Sequence, residues 1–451
     1  MSQTKLITHN KIRNSFDLFA GCGGLSTGLE FGGFSPLLVC ELDEYARESF
    51  IINRSKKIAG YNFSGLKQLH FGDVYSLADQ NLQETILFIK ELLNKSGKGN
   101  EALDLDLVCG GPPCQGYSGI GHRRSYSVEK KDIPSNRLYE PMVRIIEQTR
   151  PKIFLFENVK GILSGKWSKD GKSGEIWASV LNRFKSISDY TVKWNLVQAK
   201  NYGVPQNRPR VLMVGVRNDI AKSANLDILT SSDDAIKCGF LPEPNSSETP
   251  NLVDLLSDLV DPIITNYLLN QDFPADFRTA NYLTHPKTKI QSWLRTRPDG
   301  STIKARDPLY EQEYSRHTAQ VVEKFQYMLC NGGKIPDHLK TKKFAQRLLP
   351  ETWDKLRGPS ITATSLPDDY VHFSQPRILT VREWARLQTF PDWYQFAGKR
   401  TTGGIRRAGN PQAGNFSREV PKYTQIGNAV PVKLAEKVGI HLNSILVRAG
   451  Y

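Results

Sequence analysis

Apolar and polar positions follow a repeating rhythm over the first two hundred residues. Short apolar runs at Ser15 to Phe19, Leu37 to Cys40, Leu105 to Cys109, Ile153 to Phe156 and Val211 to Val216 predict strands. Between them, helical patterns occupy Leu25 to Glu30, Tyr45 to Ile52, Thr85 to Leu93, Arg137 to Gln148 and Ile176 to Phe184. Such alternation predicts an α/β fold, a doubly wound sheet with helices on both faces. The rhythm is lost near residue 218. From there to about 375, clusters of Pro, Ser, Asp and Asn with scattered aromatics predict a second, smaller irregular domain suited to recognition. Thr380 to Gln388 predicts a helix stopped by Phe390-Pro391. Lys399 to Lys422 is a connection containing Gly and Arg, and Val432 to Leu446 predicts a final amphipathic helix. The division is therefore 1–217, then 218–422, then 423–451 returning to the first domain.

Composition narrows the class. The 451 residues are 39% hydrophobic, enough for a packed core and against a disordered chain. No apolar run has the length of a membrane span, and Met1 to Asn14 is polar, without a signal-peptide core. The six cysteines show no paired spacing, so neither a disulfide framework nor a metal site is expected, and a reduced intracellular compartment fits. Sixty Lys and Arg against 46 Asp and Glu give a net charge of +14, which favours polyanionic partners. The basic excess is local. Residues 251–280 carry five aspartates and one arginine, whereas 281–350 carry 13 Lys and Arg against six Asp and Glu.

Candidate chemistry begins at Gly110-Gly111-Pro112-Pro113-Cys114-Gln115-Gly116-Tyr117-Ser118. Two prolines stiffen the backbone before the thiol, and a Gly- and Ser-rich loop follows, the arrangement of a presented nucleophile with a closing flap. An isolated cysteine at a strand end is more often a packed thiol. A second site is suggested where Ser15 to Phe19 runs into Ala20-Gly21-Cys22-Gly23-Gly24-Leu25. Glycines there let a ligand approach the backbone and the amides of a helix N-terminus. The spacing is not GxGxxG and no Lys follows, so dinucleotide and P-loop readings are disfavoured. A smaller ligand with a carboxylate and a nucleoside suits the turn better. Glu41, directly after a strand, is placed to accept ribose hydroxyls, and Asp73 to accept from an adenine amino group. Either acid alone reads equally as a cap or turn residue.

These segments together resemble the C5-cytosine DNA methyltransferases that use S-adenosylmethionine. Matching motifs occur in family order: Asp17-Leu18-Phe19-Ala20-Gly21-Cys22-Gly23-Gly24, Glu41-Leu42-Asp43, Gly72-Asp73-Val74, Gly111-Pro112-Pro113-Cys114-Gln115, Glu157-Asn158-Val159, Gln206-Asn207-Arg208-Pro209-Arg210, Thr380-Val381-Arg382-Glu383 and Gln425-Ile426-Gly427-Asn428-Ala429-Val430-Pro431. They leave 218–355 as the family's variable target-recognition stretch. Tyr117 stands where the family usually has Phe, and Ala429 where some members have Ser. Lys399 to Lys422 is longer than the family pattern.

The resemblance implies a Rossmann-like methyltransferase sheet whose cofactor, S-adenosylmethionine, is bound by Asp17, Phe19, Gly21, Gly23, Gly24, Leu25, Glu41, Leu42, Asp73, Val74, Pro113, Asn428, Ala429 and Val430. It implies that Cys114 adds to C6 of cytosine, that Glu157 relieves charge at N3, and that Arg208 and Arg210 hold the pyrimidine carbonyl and a flanking phosphate. The base must be flipped out of duplex DNA for this chemistry. Gln115, Ser118, Arg123, Arg124 and Gln206 are the expected DNA contacts, the first four in the loop 115–133. Chemistry within twenty residues of Met1 leaves no room for a regulatory N-terminal module. The expectation is thus a bacterial, cytoplasmic and nucleoid-associated monomer that modifies double-stranded DNA, paired with a restriction endonuclease and needing neither metal nor membrane. An orphan or phage-borne enzyme fits that build too. Alternatives are a transfer-RNA cytosine methyltransferase with the same motifs and a catalytically silent DNA-binding relative.

Overall fold

Each of the five apolar runs forms a strand, and two strands that the hydrophobic pattern did not single out complete one seven-stranded sheet. The structure is a computed structural model that describes residues 13–95, 103–113, 134–168, 170–340, 346–352, 358–362, 367–402 and 419–451. In chain order the strands are β1 (Arg13–Leu18), β2 (Phe34–Cys40), β3 (His70–Phe71), β4 (Leu107–Gly110), β5 (Ile153–Val159), β6 (Tyr190–Gln198) and β7 (Pro209–Arg217). Their spatial order is β3-β2-β1-β4-β5-β7-β6. The first five are parallel, whereas β7 inserts antiparallel between β5 and β6. The two additional strands are β3 and β6. β3 is only two residues long, and β6 alternates buried apolar with polar positions in place of a continuous apolar run.

Strand residues divide between two cores with a period of two. Val108, Phe154, Phe156, Val211 and Met213 face one side. There they meet helices α2 (Glu44–Ile52), α3 (Leu82–Lys95), α4 (Tyr139–Thr149) and α5 (Glu175–Lys185). Leu107, Cys109, Ile153, Leu155, Leu212 and Val214 face the other side, with α1 (Gly24–Phe31) and the C-terminal helix α9 (Val432–Arg448). Ile220 through Leu241 also enter this second core, so the chain remains attached to the sheet beyond residue 218.

The recognition stretch is less irregular than its sequence pattern, since it carries the twelve-residue helix α6 (Ala319–Cys330). Helix α7 (Val381–Leu387) is wholly buried and opens with a capping box between Thr380 and Glu383. Helix α8 (Lys422–Asn428) then leads into α9. Chain crossovers run from β1 toward β3 on one side and from β4 toward β5 on the other. The reversal lies between β1 and β4, and a crevice outside the carboxyl ends of such strands is where an open α/β sheet takes its ligand.

Helix α1 lies against α9 through glycines. A Cβ on Gly28 would overlap the Val432 carbonyl oxygen and the Ala435 methyl, and would sit 2.6 Å from the Glu436 nitrogen. Gly28→Ala therefore lowers the free energy of unfolding by about 1–3 kcal/mol through overpacking, although alanine is intrinsically the better helix former by roughly 0.5–1 kcal/mol. A lower urea midpoint at unchanged m-value is the expected reading, and an unchanged or higher midpoint contradicts this packing.

Candidate active site

The carboxyl end of β1 breaks into a turn of unusual backbone. Phe19, Gly21 and Gly23 all have positive φ, at 58°, 55° and 86°. For Phe19 this left-handed geometry is strained, which marks a turn held by its surroundings. Those restraints come from β2. Ala20 N donates to Cys40 O at 3.1 Å, and Gly21 N to Glu41 Oε2 at 2.8 Å. The other Glu41 oxygen accepts from Asp43 N, also at 2.8 Å. Burial raises the Glu41 pKa, and these two amides oppose that effect. Helix α1 starts at Gly24 with no side-chain cap, so its N-terminus is left for a ligand.

Beside this turn lies an apolar lip. Leu42 is 78% exposed directly after Glu41. Asp73 is exposed and caps the next short helix, accepting from Tyr75 N at 3.2 Å and Ser76 N at 3.1 Å. Val74 and Leu25 are buried and pack in the two cores. Asn428 is exposed, whereas Ala429 and Val430 are nearly buried. A Cβ on Gly24 would meet the Val430 carbonyl oxygen and would lie 2.9 Å from the Ala429 methyl, so only glycine admits the C-terminal motif here. The donors fit a ligand with an anionic end at α1, vicinal hydroxyls at Glu41 and an apolar ring near Leu42.

The second half of the site forms across β5 and β7. Their antiparallel register pairs Val159 with Arg210 and Glu157 with Leu212. Residues two apart on a strand share a face, so Arg210 falls diagonally beside Glu157. Its Nε lies 2.6 Å from Glu157 Oε1, with both side chains nearly buried. Burial pushes the Glu157 carboxyl up, and the charges of Arg210 and Arg208 oppose it. Gly111 is what lets Glu157 reach this position, because a Cβ there would lie 2.7 Å from Glu157 Oε2. Asn158 donates from Nδ2 to Pro112 O at 3.1 Å, so it holds the backbone that leads through exposed Pro113 toward Cys114. Neither Gly111 nor Asn158 received a role of its own from the sequence. The Gly110-Gly111 doublet and the position of Asn158 beside an acid were the available signals.

Arg208 and Gln206 have other partners than expected. The Arg208 guanidinium is buried, and its Nη2 donates to Gly427 O at 2.9 Å and Ala429 O at 2.8 Å. Its Nη1 donates to Ile361 O. Gln206 is fully buried and donates to Leu387 O and to Gln388 Oε1, each at 2.7 Å. Both therefore brace the C-terminal motif and α7 in this structure, while Arg210 alone of the three is joined to Glu157. Cys114, Gln115, Ser118, Arg123 and Arg124 lie outside the described residues. Among the described residues there is no group of three or more His, Cys, Asp or Glu that could hold a metal ion, and no helix long and apolar enough to cross a membrane.

Comparison with known proteins extends over nearly the whole chain. The sequence model of a family described as C-5 cytosine-specific DNA methylase matches residues 13–444. The Type II methyltransferase M.DdeI of Desulfomicrobium norvegicum is 30% identical over 439 residues, covering 94% of this chain and 86% of that protein. The Type II methyltransferase M.Sau96I of Staphylococcus aureus is 28% identical over 437 residues, 96% of this chain and 76% of that one. Among solved structures, a prophage-encoded Escherichia coli protein described as a DNA modification methyltransferase aligns with a TM-score of 0.61 at 23% identity. That alignment covers 96% of this chain and 99% of the other, and shows that the two share a fold.

Asp17, expected at the cofactor, is instead buried at the carboxyl end of β1 beneath the glycine turn. Ser26 Oγ of α1 donates to its Oδ2, and on β4 Cys109 is its register partner. Burial raises its pKa from an ordinary 3.8 to about 7, against smaller opposing effects of Ser26 and Arg54. The folded chain therefore keeps this proton up to about pH 7, whereas the unfolded chain releases it near 3.8. Stability relative to Asp17→Asn falls as pH rises across that window, by about 4 kcal/mol at about 1.4 kcal/mol per tenfold change in proton affinity. Urea titrations of both proteins at pH 4.5, 6 and 7.5 are expected to show the gap growing in favour of the variant. A pH-independent gap contradicts a protonated buried Asp17.

Proposed function

This chain belongs to the C-5 cytosine-specific DNA methylase family and is a DNA cytosine-5 methyltransferase, and we propose that it acts through a transient bond between Cys114 and C6 of an extruded cytosine, with S-adenosylmethionine as donor. The single observation that carries the catalytic part of this reading is the buried Glu157–Arg210 pair at 2.6 Å, beside the segment leading to Cys114.

C5 of cytosine is a weak nucleophile, and an attached thiolate at C6 makes it enamine-like. As the C6–S bond forms, negative charge spreads into the ring toward N3. Glu157, whose carboxyl burial keeps prone to hold a proton, donates at N3 and takes that proton back on elimination. Arg210 fixes the carboxyl and offers its remaining N–H groups to the pyrimidine carbonyl. S-adenosylmethionine, when bound, supplies an electrophilic methyl group on a sulfonium. Toward it, the N-terminal amides of α1 would hold the carboxylate, Glu41 would accept from the ribose, Leu42 with Phe19 would cover the adenine, and Asn428 would close the methionine side. C5 then carries the transferred methyl beside its original hydrogen. That hydrogen leaves as a proton to water, the C6–S bonding electrons leave with the Cys114 thiolate, and the ring's aromaticity is restored.

Glu157 and Arg210 are buried, so the target base has to leave the helix stack to reach them, at a cost of a few kcal/mol. The stretch between β7 and α7 supplies the recognition surface, and the +14 charge favours its contact with phosphates. The named relatives are Type II methyltransferases, which supports the reading that this protein marks sites in duplex DNA against a companion endonuclease; that it acts as a monomer is part of the proposal.

Bisulfite sequencing of DNA from a host expressing the gene locates the modified cytosine, and an unmethylated duplex carrying 5-fluorocytosine at that position tests the covalent step. The unaltered protein with S-adenosylmethionine is expected to form a denaturation-resistant adduct, and Cys114→Ser to form none. An adduct of equal yield in the serine variant would end this mechanism.

A further inference from the structure

The cofactor turn is braced from behind by a residue of the segment that follows α7. Tyr394 is fully buried, and its hydroxyl donates to Cys22 O at 2.5 Å. The Cys22 carbonyl and the Gly23 N–H belong to one planar peptide. That N–H in turn donates to Ala20 O at 2.9 Å, so the peptide is fixed at both ends. Gly23 fits because a Cβ there would be 2.5 Å from the Tyr394 oxygen. Arg54 Nη1 completes the contact, donating to the same hydroxyl at 3.3 Å while its Nη2 reaches Thr27 on α1.

Tyr394 itself is held from the recognition side. Arg382 of α7 is fully buried, and its guanidinium donates to backbone carbonyls of both regions: Tyr394 O at 2.7 Å, Pro391 O at 3.2 Å and Tyr310 O at 3.2 Å. One turn further along α7, Arg386 binds Asp258 and Asp392, and Asp392 accepts from Tyr282 at 2.7 Å. Asp258 also pairs with Arg295. Buried charges thus fix residues 391–394 against elements of 255–311, and Tyr394 passes that placement to the glycine turn.

We propose that Tyr394 is a positioning residue for cofactor binding, setting the Cys22-Gly23 peptide and the start of α1 from the recognition side of the molecule. The inference rests on the reading of this turn as the S-adenosylmethionine site. It separates binding from chemistry, because Tyr394 is joined to the glycine turn and not to the Glu157–Arg210 pair. Removal of the hydroxyl loosens one end of a clamped peptide without opening a cavity in the surrounding aromatic cluster.

Calorimetric titration of S-adenosylmethionine into the full-length protein, without DNA, tests it. Tyr394→Phe is expected to weaken Kd about five- to tenfold, the scale of one buried hydrogen bond. Its kcat at saturating cofactor should stay within about twofold of the unaltered enzyme. Trp393→Phe, a neighbouring change that loses the indole bond to Thr296 O and part of the ring contact with Tyr394 but keeps the Tyr394 hydroxyl on Cys22 O, is the control and should leave Kd unchanged. Equal cofactor affinity in Tyr394→Phe and the unaltered protein overturns the proposal, as does an equal loss in Trp393→Phe. No binding to the unaltered protein would instead remove the cofactor reading, and this inference with it.

Discussion

A buried carboxyl next to a buried guanidinium is the contact on which the rest of the site depends. Glu157 and Arg210 would each be costly alone in the interior, and loss of one partner typically costs about 3–5 kcal/mol. Their meeting is a consequence of topology. A parallel strand beside β5 would carry its own residues past Glu157 in the opposite sense, whereas antiparallel β7 returns with Arg210 at the carboxyl end of β5. The insertion of that strand between β5 and β6 is therefore the feature that turns an open nucleotide-binding type of sheet into one with an acid and a cation at its crevice. Gly111 and Asn158 then adapt β4 to the pair, the first by leaving room and the second by holding Pro112.

Arginine is used repeatedly where the two parts of the chain meet. Arg208, Arg295, Arg377, Arg382 and Arg386 are all essentially buried. Two kinds of partner hold them, although the Nε atoms of Arg208 and Arg295 lack a hydrogen-bond acceptor. Arg295, Arg377 and Arg386 are matched with Asp258, Glu383 and Asp392, while Arg208 and Arg382 terminate on backbone carbonyls. A planar fork with five donors serves several carbonyls at once, which lysine cannot do. The variable region can thus be irregular on its surface and still have a fixed attachment. Its position relative to the crevice is set by these buried hydrogen bonds together with an apolar cluster that joins Leu252, Leu255 and Leu294 to Trp384, Phe390 and Tyr423.

Much of this was legible in the chain because it is local. Strands β1, β2, β4, β5 and β7, the helices between them and the two late helices follow from apolar period and from turn residues near their ends. The glycine turn and the acids at strand ends were readable for the same reason. What escaped was set at long range. β6 is the exception: its alternation of Tyr190, Val192, Trp194 and Leu196 with Thr191, Lys193 and Asn195 is itself a half-buried strand pattern. It lacks only the continuous apolar run that marks β1, β2, β4, β5 and β7. The family resemblance implied one task for Arg208 and Arg210, but Arg208 finds its carbonyls at residues 427–429, more than two hundred positions away. Asp17 looked like a ligand contact by its motif. Its place on the α1 side of β1 instead gives it to Ser26.

The account's central claim is that Glu157 and Arg210 act as one unit on the flipped base. A double-mutant cycle in methyl transfer measures this directly, using Glu157→Gln, Arg210→Met and the double variant at saturating cofactor and DNA. Acid catalysis of this kind is worth roughly a hundred- to ten-thousandfold, so either single change should slow kcat by that order. The double variant is predicted to be about as slow as the worse single variant. Losses that multiply would mean that the two groups work independently, and the site described here would have to be redrawn.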